Sequence, residues 1–255
     1  MKAILINSSA RINGNTEKVL SIIKEILEKN NSTVETIVLA KMKIDVCLGC
    51  RKCFDEGESS CPRKDDVIEL YNKIRLADLI IIGGPVYVED VNGILKNWID
   101  RMAFNCHRPG LFNQKAYVVL NSGSGASWHA VKTVERALMS WGITVLGRRK
   151  LVLGAHSDAV FVNEKYRELL KTDMEKVIKK SGNKNKPTLL QLITFSIQQY
   201  YYKNKADKQT YDYKYWKNKG FLENKNYYFS LTHENAVRKI ISRMTGKIIT
   251  NVLLK

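Results

Sequence analysis

Apolar positions over roughly the first 180 residues switch repeatedly between a period of two and a period near 3.6, the spacings of strands and helices. KAILIN (2–7) is a short apolar run that meets the polar segment SSARINGNT. TEKVLSIIKEILEKN follows, with Val19, Leu20, Ile23, Ile26 and Leu27 on one helical face. STVETIVLA (32–40) alternates as a strand does. DDVIELYNKIRLA (65–77) has Val67, Leu70, Tyr71 and Ile74 at helical spacing, with its aspartates where a helix N-terminus favours negative charge. Leu79 to Ile82 are apolar at every position, which predicts a strand covered on both faces, and GGPVY is expected to end it with a sharp exit. GILKNWIDRMAF places Leu95, Trp98, Ile99 and Met102 on a helix, and KAYVVLNS (115–122) is a strand entering a glycine-bearing loop. SWHAVKTVERALMSWG (127–142) reads as a helix closed by Gly142, ITVLGRRKLVLG (143–154) as the last strand region, and NEKYRELLKTDMEKVIKKSG (163–182) as a helix stopped by Gly182.

Five strand–helix alternations of this kind predict an α/β fold with a doubly wound, five-stranded parallel sheet of flavodoxin-like type over residues 1–182. After GNKNKP the pattern breaks. Residues 187–255 read as a helical, basic, aromatic-rich extension: TLLQLITFSIQQYYY as a helix, KNKADKQTYDYKYWKNKGFLENKNYYF as an irregular stretch, and THENAVRKIISRMTGKIITNVLLK as a final helix with a tail. The formal charge is +17, and residues 181–255 hold fourteen Lys and Arg against four Asp and Glu, so +10 of it lies there. Packing on the main unit or on a sister subunit is the expectation for this extension. Contact with an anionic membrane surface is the second reading, and nucleic acid is disfavoured because no recognisable module accompanies the basic residues. No window approaches the ~18 uninterrupted apolar residues of a membrane span. MKAILINSS lacks the long apolar core of a signal peptide, so a cytoplasmic protein with reduced thiols is expected.

In a doubly wound sheet, ligands bind beyond the carboxyl ends of the strands, which directs attention to three loops. The first offers Ser8, Ser9, Arg11, Asn15 and Thr16 together with the free N–H groups of a helix beginning near Asn15. That is a phosphate cradle without the Gly-Lys-Ser/Thr ending of a P-loop. The second places Pro85, Val86 and Tyr87 directly after a buried strand, an edge suited to a flat heteroaromatic ring. The third, NSGSGAS, supplies Gly123 and Gly125, where backbone can approach the same ring closely.

Four of the five cysteines fall in CLGCRKCFDEGESSC, with spacing C-x2-C-x2-C-x7-C. Short intervals let three thiolates converge on one iron-sulfur cube while the fourth arrives after a loop. On spacing alone a [4Fe-4S] cluster ranks ahead of free or transiently oxidised thiols, of zinc, and of disulfides in a reducing compartment. Cys106, in NCHRPG, is expected to be a small, partly buried residue. His107, His129, His156 and His233 show no ligand spacing, and no paired-carboxylate or Ser-His-Asp arrangement stands out.

SARINGNT, GGPVYVEDVNGILKNWIDR and LNSGSG resemble the phosphate loop, ring loop with its helix, and third flavin loop of the NADPH-dependent FMN reductases. The cysteine stretch with the following DDV resembles the iron-sulfur flavoprotein branch of that family. The resemblance spans residues 1 to about 180. It implies FMN with its phosphate on Ser9, Arg11, Asn15 and Thr16 and its ring against Pro85, Val86, Tyr87 and the loop Ser122, Gly123, Ser124, Gly125. It implies a [4Fe-4S] cluster on Cys47, Cys50, Cys53 and Cys61 in the loop 47–63, although the seven-residue gap is long for the compact motif. No catalytic side chain is expected, since the flavin carries the chemistry. The implied function is an FMN-dependent oxidoreductase passing electrons from NAD(P)H, or a ferredoxin-like donor, through FMN and the cluster to an acceptor. A cluster-free NAD(P)H-dependent reductase of flavin, quinones or nitro compounds, and a flavodoxin-like electron carrier, are the alternatives. The family further implies a dimer or tetramer. For Asp100 and Arg101, which match a helix-end pair of the family, helix capping or a subunit contact weighs as much as a flavin contact.

Overall fold

A computed structural model of the chain describes residues 1–125, 127–154, 164–183, 185–223 and 236–253. Its elements are β1 (Lys2–Asn7), α1 (Asn15–Lys29), β2 (Thr33–Val38), α2 (Lys52–Asp55), α3 (Val67–Arg75), β3 (Leu79–Tyr87), β4 (Asp90–Val91), α4 (Gly93–Arg101) and α5 (Phe104–His107). They continue with β5 (Lys115–Ser122), α6 (Trp128–Ser140), β6 (Thr144–Val152), α7 (Glu164–Ser181), α8 (Leu189–Asn204), α9 (Tyr211–Asn218) and α10 (Ala236–Leu253). The main sheet has the order β2-β1-β3-β5-β6, every pair parallel, and the two-residue β4 turns back antiparallel on the end of β3. Among the parallel strands alone this is the flavodoxin-like order 2-1-3-4-5.

The sheet divides the core by parity, because successive strand side chains point to opposite faces. Ile4, Ile6, Ile80, Ile82, Val118 and Leu120 face one layer with Val67 and Leu70 of α3, Leu95 and Trp98 of α4, and Val131 and Val134 of α6. Ala3, Leu5, Leu79, Ile81, Tyr117 and Val119 face the other, with Val19, Leu20 and Ile23 of α1 and Leu170 and Met174 of α7. Each such buried aliphatic side chain contributes ~1.5–3 kcal/mol of transfer free energy.

Two expectations change. GGPVY does not end the third strand: β3 runs through to Tyr87. Its glycines serve packing within the strand, since a Cβ on Gly83 would lie 2.8 Å from the Leu20 side chain of α1 and one on Gly84 would lie 2.3 Å from Ser8 Oγ. Second, the stretch read as irregular contains α9, whose N-cap Thr210 accepts from Tyr213 N–H at 3.3 Å.

Several aromatic residues of the extension turn inward. Phe195 and Tyr202 of α8 and Trp216 of α9 are buried together with Leu192, and Phe112 of the main unit packs against them. Gln191 Nε2 donates to the Ile143 carbonyl at 3.2 Å, and Asn185 Nδ2 to the Phe112 carbonyl at 2.7 Å. Gly246 lets the α10 backbone close on Ser196 of α8. Among the described residues no helix is long and apolar enough to cross a membrane.

Gly84→Ala should cost ~1–3 kcal/mol of stability in chemical denaturation, the usual cost of overpacking. Gly84→Ala in a Ser8→Ala background should cost clearly less, because the clashing oxygen is gone; an equal cost in both backgrounds would refute the assignment of the close contact.

Candidate functional site

The chain leaves β1 toward β2 on one side and reaches β3 on the other, so the carboxyl ends of β1 and β3 border a crevice. An open cleft of about 230 Å³ lies there, at the carboxyl ends of the strands where doubly wound sheets bind their ligands. Ser9, Arg11, Asn15 and Thr16 line it from the first loop, Pro85, Val86 and Tyr87 from the end of β3, and Ser122 and Gly123 from the end of β5. Three residues expected here are placed differently. Ser8 is fully buried with its Oγ facing Gly84 and unpartnered, and Ser124 and Gly125 lie beyond the lining.

The first loop is built by short polar contacts. Asn7 Oδ1 accepts from Ser9 N–H at 2.9 Å, Ser9 Oγ from Arg11 N–H at 3.2 Å, and Glu17 from Asn13 N–H at 2.7 Å. Helix α1 starts behind Gly14 with no side-chain cap, leaving its first N–H groups for an anion. Thr16 Oγ1 donates to Asn121 Oδ1 at 2.7 Å and so ties this loop to the end of β5. Asn121 and Gly154 also line the cleft. Asn121 stood inside a quoted motif without being assigned; its place one residue before the end of a strand was the available signal.

The end of β3 turns back as a hairpin. Val88 (φ 47°) and Glu89 (φ 64°) join β3 to β4, with Tyr87 opposite Asp90. Positive φ at both central residues matches the twist of a two-residue hairpin, but it is a strained conformation for a β-branched residue such as Val88. Asn92 anchors the hairpin: its Oδ1 caps α4 by accepting from Leu95 N–H at 3.3 Å, and its Nδ2 donates to the Ser8 carbonyl at 2.7 Å. His129 of α6 lies 3.3 Å from Asp90 on the same hairpin.

The cysteines occupy the other end of α4. Cys47, Cys50, Cys53 and Cys61 all line one cavity of about 150 Å³, with Phe54, Val67, Ile68, Arg101 and Phe104 among its walls. Left-handed backbone at Gly49, Arg51 and Gly57 wraps the loop around it. Cys47 and Cys50 are exposed, while Cys53 and Cys61 are partly buried. Burial pushes the Cys53 thiol up to about 11, with the other three cysteines adding to the rise and the Arg108 guanidinium opposing it. Among the described residues no three His, Cys, Asp or Glu side chains converge on a single ion.

Arg101 is the peg beneath this loop. Its guanidinium pairs with both carboxylate oxygens of Asp65, one at 3.0 Å, donates to the Asp45 carbonyl at 2.8 Å, and reaches Cys61 Sγ at 3.7 Å. Burial alone would raise the Asp65 pKa, but the Arg101 hydrogen bonds and the N–H groups of Asp45 and Val67 outweigh it and hold the carboxyl below its ordinary value. Asp66 accepts from Lys43 N–H at 2.7 Å, and Asn97 Nδ2 donates to the Ile44 carbonyl at 3.0 Å, docking the segment that enters the loop. Arg101 therefore belongs to the cysteine cavity and not to the cleft, while Asp100 pairs with Lys96 at 2.6 Å on the surface.

A second buried guanidinium stands on the far side. Arg108, 4% exposed, pairs with Asp212 of α9 and donates to Glu58 of the cysteine loop at 2.6 Å. His107 also contacts Asp212, at 2.6 Å. Cys106 is partly buried, 3.1 Å from Ser140 Oγ, and burial raises its thiol. His156 and His233 lie outside the described residues.

Residues 1–158 match the family model of the NADPH-dependent FMN reductases. An iron-sulfur flavoprotein of Archaeoglobus fulgidus is 31% identical over 240 residues, covering 87% of this chain and 100% of that protein. A second protein of that name from the same organism is 39% identical over 144 residues, covering 54% of this chain and 69% of its own length. Among solved structures, an NAD(P)H:quinone oxidoreductase from Methanothermobacter marburgensis superposes with a TM-score of 0.51 at 17% identity, over 73% of this chain and 99% of that one, a likeness of fold. With a donor-rich loop after β1, a hairpin after β3 and a four-cysteine cavity arranged on this sheet, the chain belongs to the NADPH-dependent FMN reductases, a family of flavin-dependent oxidoreductases, and within it to the iron-sulfur flavoproteins.

Proposed function

We propose that the cleft holds FMN, that Cys47, Cys50, Cys53 and Cys61 hold a [4Fe-4S] cluster, and that the enzyme exchanges electrons between a donor, NAD(P)H or a ferredoxin-like protein, and an acceptor. When bound, FMN interconverts two-electron and one-electron chemistry, and the cluster adds a one-electron site. The observation that carries this reading is the placement of all four motif cysteines on one cavity at the C-terminal end of α4, whose N-cap Asn92 is tied to the Ser8 carbonyl of the first loop.

The residues of the chain divide the work. Ser9, Arg11, Asn15, Thr16 and the uncapped start of α1 would take the phosphate, Arg11 with its full charge and the others as neutral donors. Pro85, Val86 and Tyr87 would hold the ring edge, with Ser122 and Gly123 closing from β5. Ser8 would act from behind, through its backbone: its N–H donates to the Gly83 carbonyl at 2.9 Å and its own carbonyl receives Asn92. At the cysteines, Arg101 and Arg108 set positive charge against thiolate ligands, each kept in place by a buried aspartate. Helix α4 has nine residues, so on the order of 13 Å separates its ends. A dimer or tetramer belongs to the same proposal, and the exposed row Ile240, Met244, Ile248 and Val252 on α10 supports a contact surface.

Protein purified without oxygen should contain ~4 iron and ~4 acid-labile sulfide per chain beside its flavin. Flavin without iron would move the assignment to the cluster-free reductase. Arg11→Ala combined with Thr16→Val should lower flavin content while leaving iron in place; unchanged flavin would overturn the phosphate assignment. Arg101→Gln strands a buried Asp65 carboxylate and should cost ~3–5 kcal/mol in denaturation, of which Asp65→Asn in the same chain restores part. Equal losses in the single and double variants would show that the pair is not coupled.

A further inference from the structure

Of the groups that touch the cysteine loop, one set comes from the far end of the chain, and its contacts form a closed circuit. Asp212 of α9 is 3% exposed. Its carboxylate takes the Arg108 guanidinium on one oxygen, and on the other meets His107 Nδ1 at 2.6 Å and the Tyr202 hydroxyl at 3.1 Å. Both Arg108 and His107 then reach into the loop. Arg108 Nη2 donates to Glu58 at 2.6 Å, and the His107 ring stacks on Phe54 with centroids 3.9 Å apart and planes 14° from parallel. Glu58 and Phe54 lie between Cys53 and Cys61. Tyr211 closes the circuit: its ring covers Arg108 at 4.9 Å and lies against Gly57, where an added Cβ would come within 3.2 Å of it.

We propose that Asp212 is a positioning residue for the cysteine cavity, holding the 53–61 stretch through Arg108 and His107 in the shape that receives the cluster. This rests on the reading of the four cysteines as cluster ligands.

The physical argument is one of pre-organisation. The loop has few apolar anchors of its own: Cys47 and Cys50 are exposed, and Cys53 and Phe54 are its members packed against the main core. A four-thiol site ordered only on metal binding gives up part of its binding free energy to ordering the chain. Two buried guanidiniums lower that loss. Arg101 acts at the Cys61 end and takes its counter-ion, Asp65, from just past the loop. Arg108 acts at the Cys53 and Glu58 side, where it holds the partly exposed Glu58 carboxylate. Asp212 is what fixes it. Trp216 Nε1 donates to the His107 carbonyl at 2.8 Å and anchors the same turn from α9. The extension is thus a strut for the site.

The test compares wild type with Asp212→Ala, Asp212→Asn and Tyr211→Ala. Three measurements are made: iron per flavin after anaerobic purification, visible circular dichroism of whatever cluster is bound, and hydrogen exchange across 47–63 in flavin-loaded protein stripped of metal. Loss of Asp212 should speed exchange over 53–61 by about tenfold or more, the scale expected for a lost charge-assisted hydrogen bond. It should lower iron per flavin and alter the dichroism, with exchange in β1, β3 and β5 unchanged. Asp212→Asn, which keeps the shape and removes the charge, should fall between. Tyr211 is 41% exposed, so Tyr211→Ala spares the extension's core and decides the matter if the Asp212 variants do not fold. Unaltered exchange over 53–61 in folded variants overturns the strut. Wild-type protein that holds no iron overturns the cluster reading instead, and the exchange data still report on the strut.

Discussion

Strand β3 is buried on both faces from Leu79 through Pro85, and both sites depend on that double burial. A strand with helices on each side can end only where the layers end, so its carboxyl tip is where backbone and side chains reach open space. The glycine pair moves that tip outward. Gly83 admits Leu20 on one face and Gly84 admits Ser8 on the other, so the layers stay closed for two residues more before Pro85, Val86 and Tyr87 emerge beside the first loop. The hairpin that follows reverses the chain and delivers Asn92 against the Ser8 carbonyl, which fixes where α4 begins. From that start, helical geometry places Arg101 beneath the cysteine loop.

What was legible in the sequence follows the range of the interactions concerned. Strands and helices of the main unit are set by periodicities within a few residues, so β1 and β5 fall on the predicted segments and the parallel order follows from the alternation. The loops at the strand ends were legible for the same reason, being contiguous polar or glycine-bearing stretches. GGPVY misleads because local turn chemistry suggests an ending, whereas the glycines answer to Leu20 and Ser8, which are distant in sequence. Helix α9 was hidden because YDYKYWKN has no apolar stripe; Trp216 and Asp212 are its buried residues. Thr210 ahead of Asp212 was the one local mark of its start.

The tethers of the cysteine loop lie further out of reach. Arg101 and Asp65 are 36 positions apart, and Arg108 and Asp212 are 104 apart. In each case a guanidinium is buried only because a carboxylate meets it, and nothing local to Arg108 names a partner in the basic extension. The same logic explains why DDV, legible as a helix start and as part of the family's cysteine motif, named no partner for either aspartate. Asp66 does precede α3, but it also accepts from Lys43 N–H, while Asp65 holds Arg101. One short motif thereby serves a helix, a loop entry and a buried ion pair.

Helix α4 carries Asn92 at its cap and Arg101 in its last turn, and each works only if its side chain points at its own site. Inserting or deleting a single residue between them would turn one end against the other by about 100° and shift it by about 1.5 Å. Asn92 could then meet the first loop or Arg101 could meet Asp65, but not both. The length of this helix is therefore set by the two contacts it must make at its ends. Side chains along it can be exchanged, whereas a change in residue count would uncouple the two sites in one step.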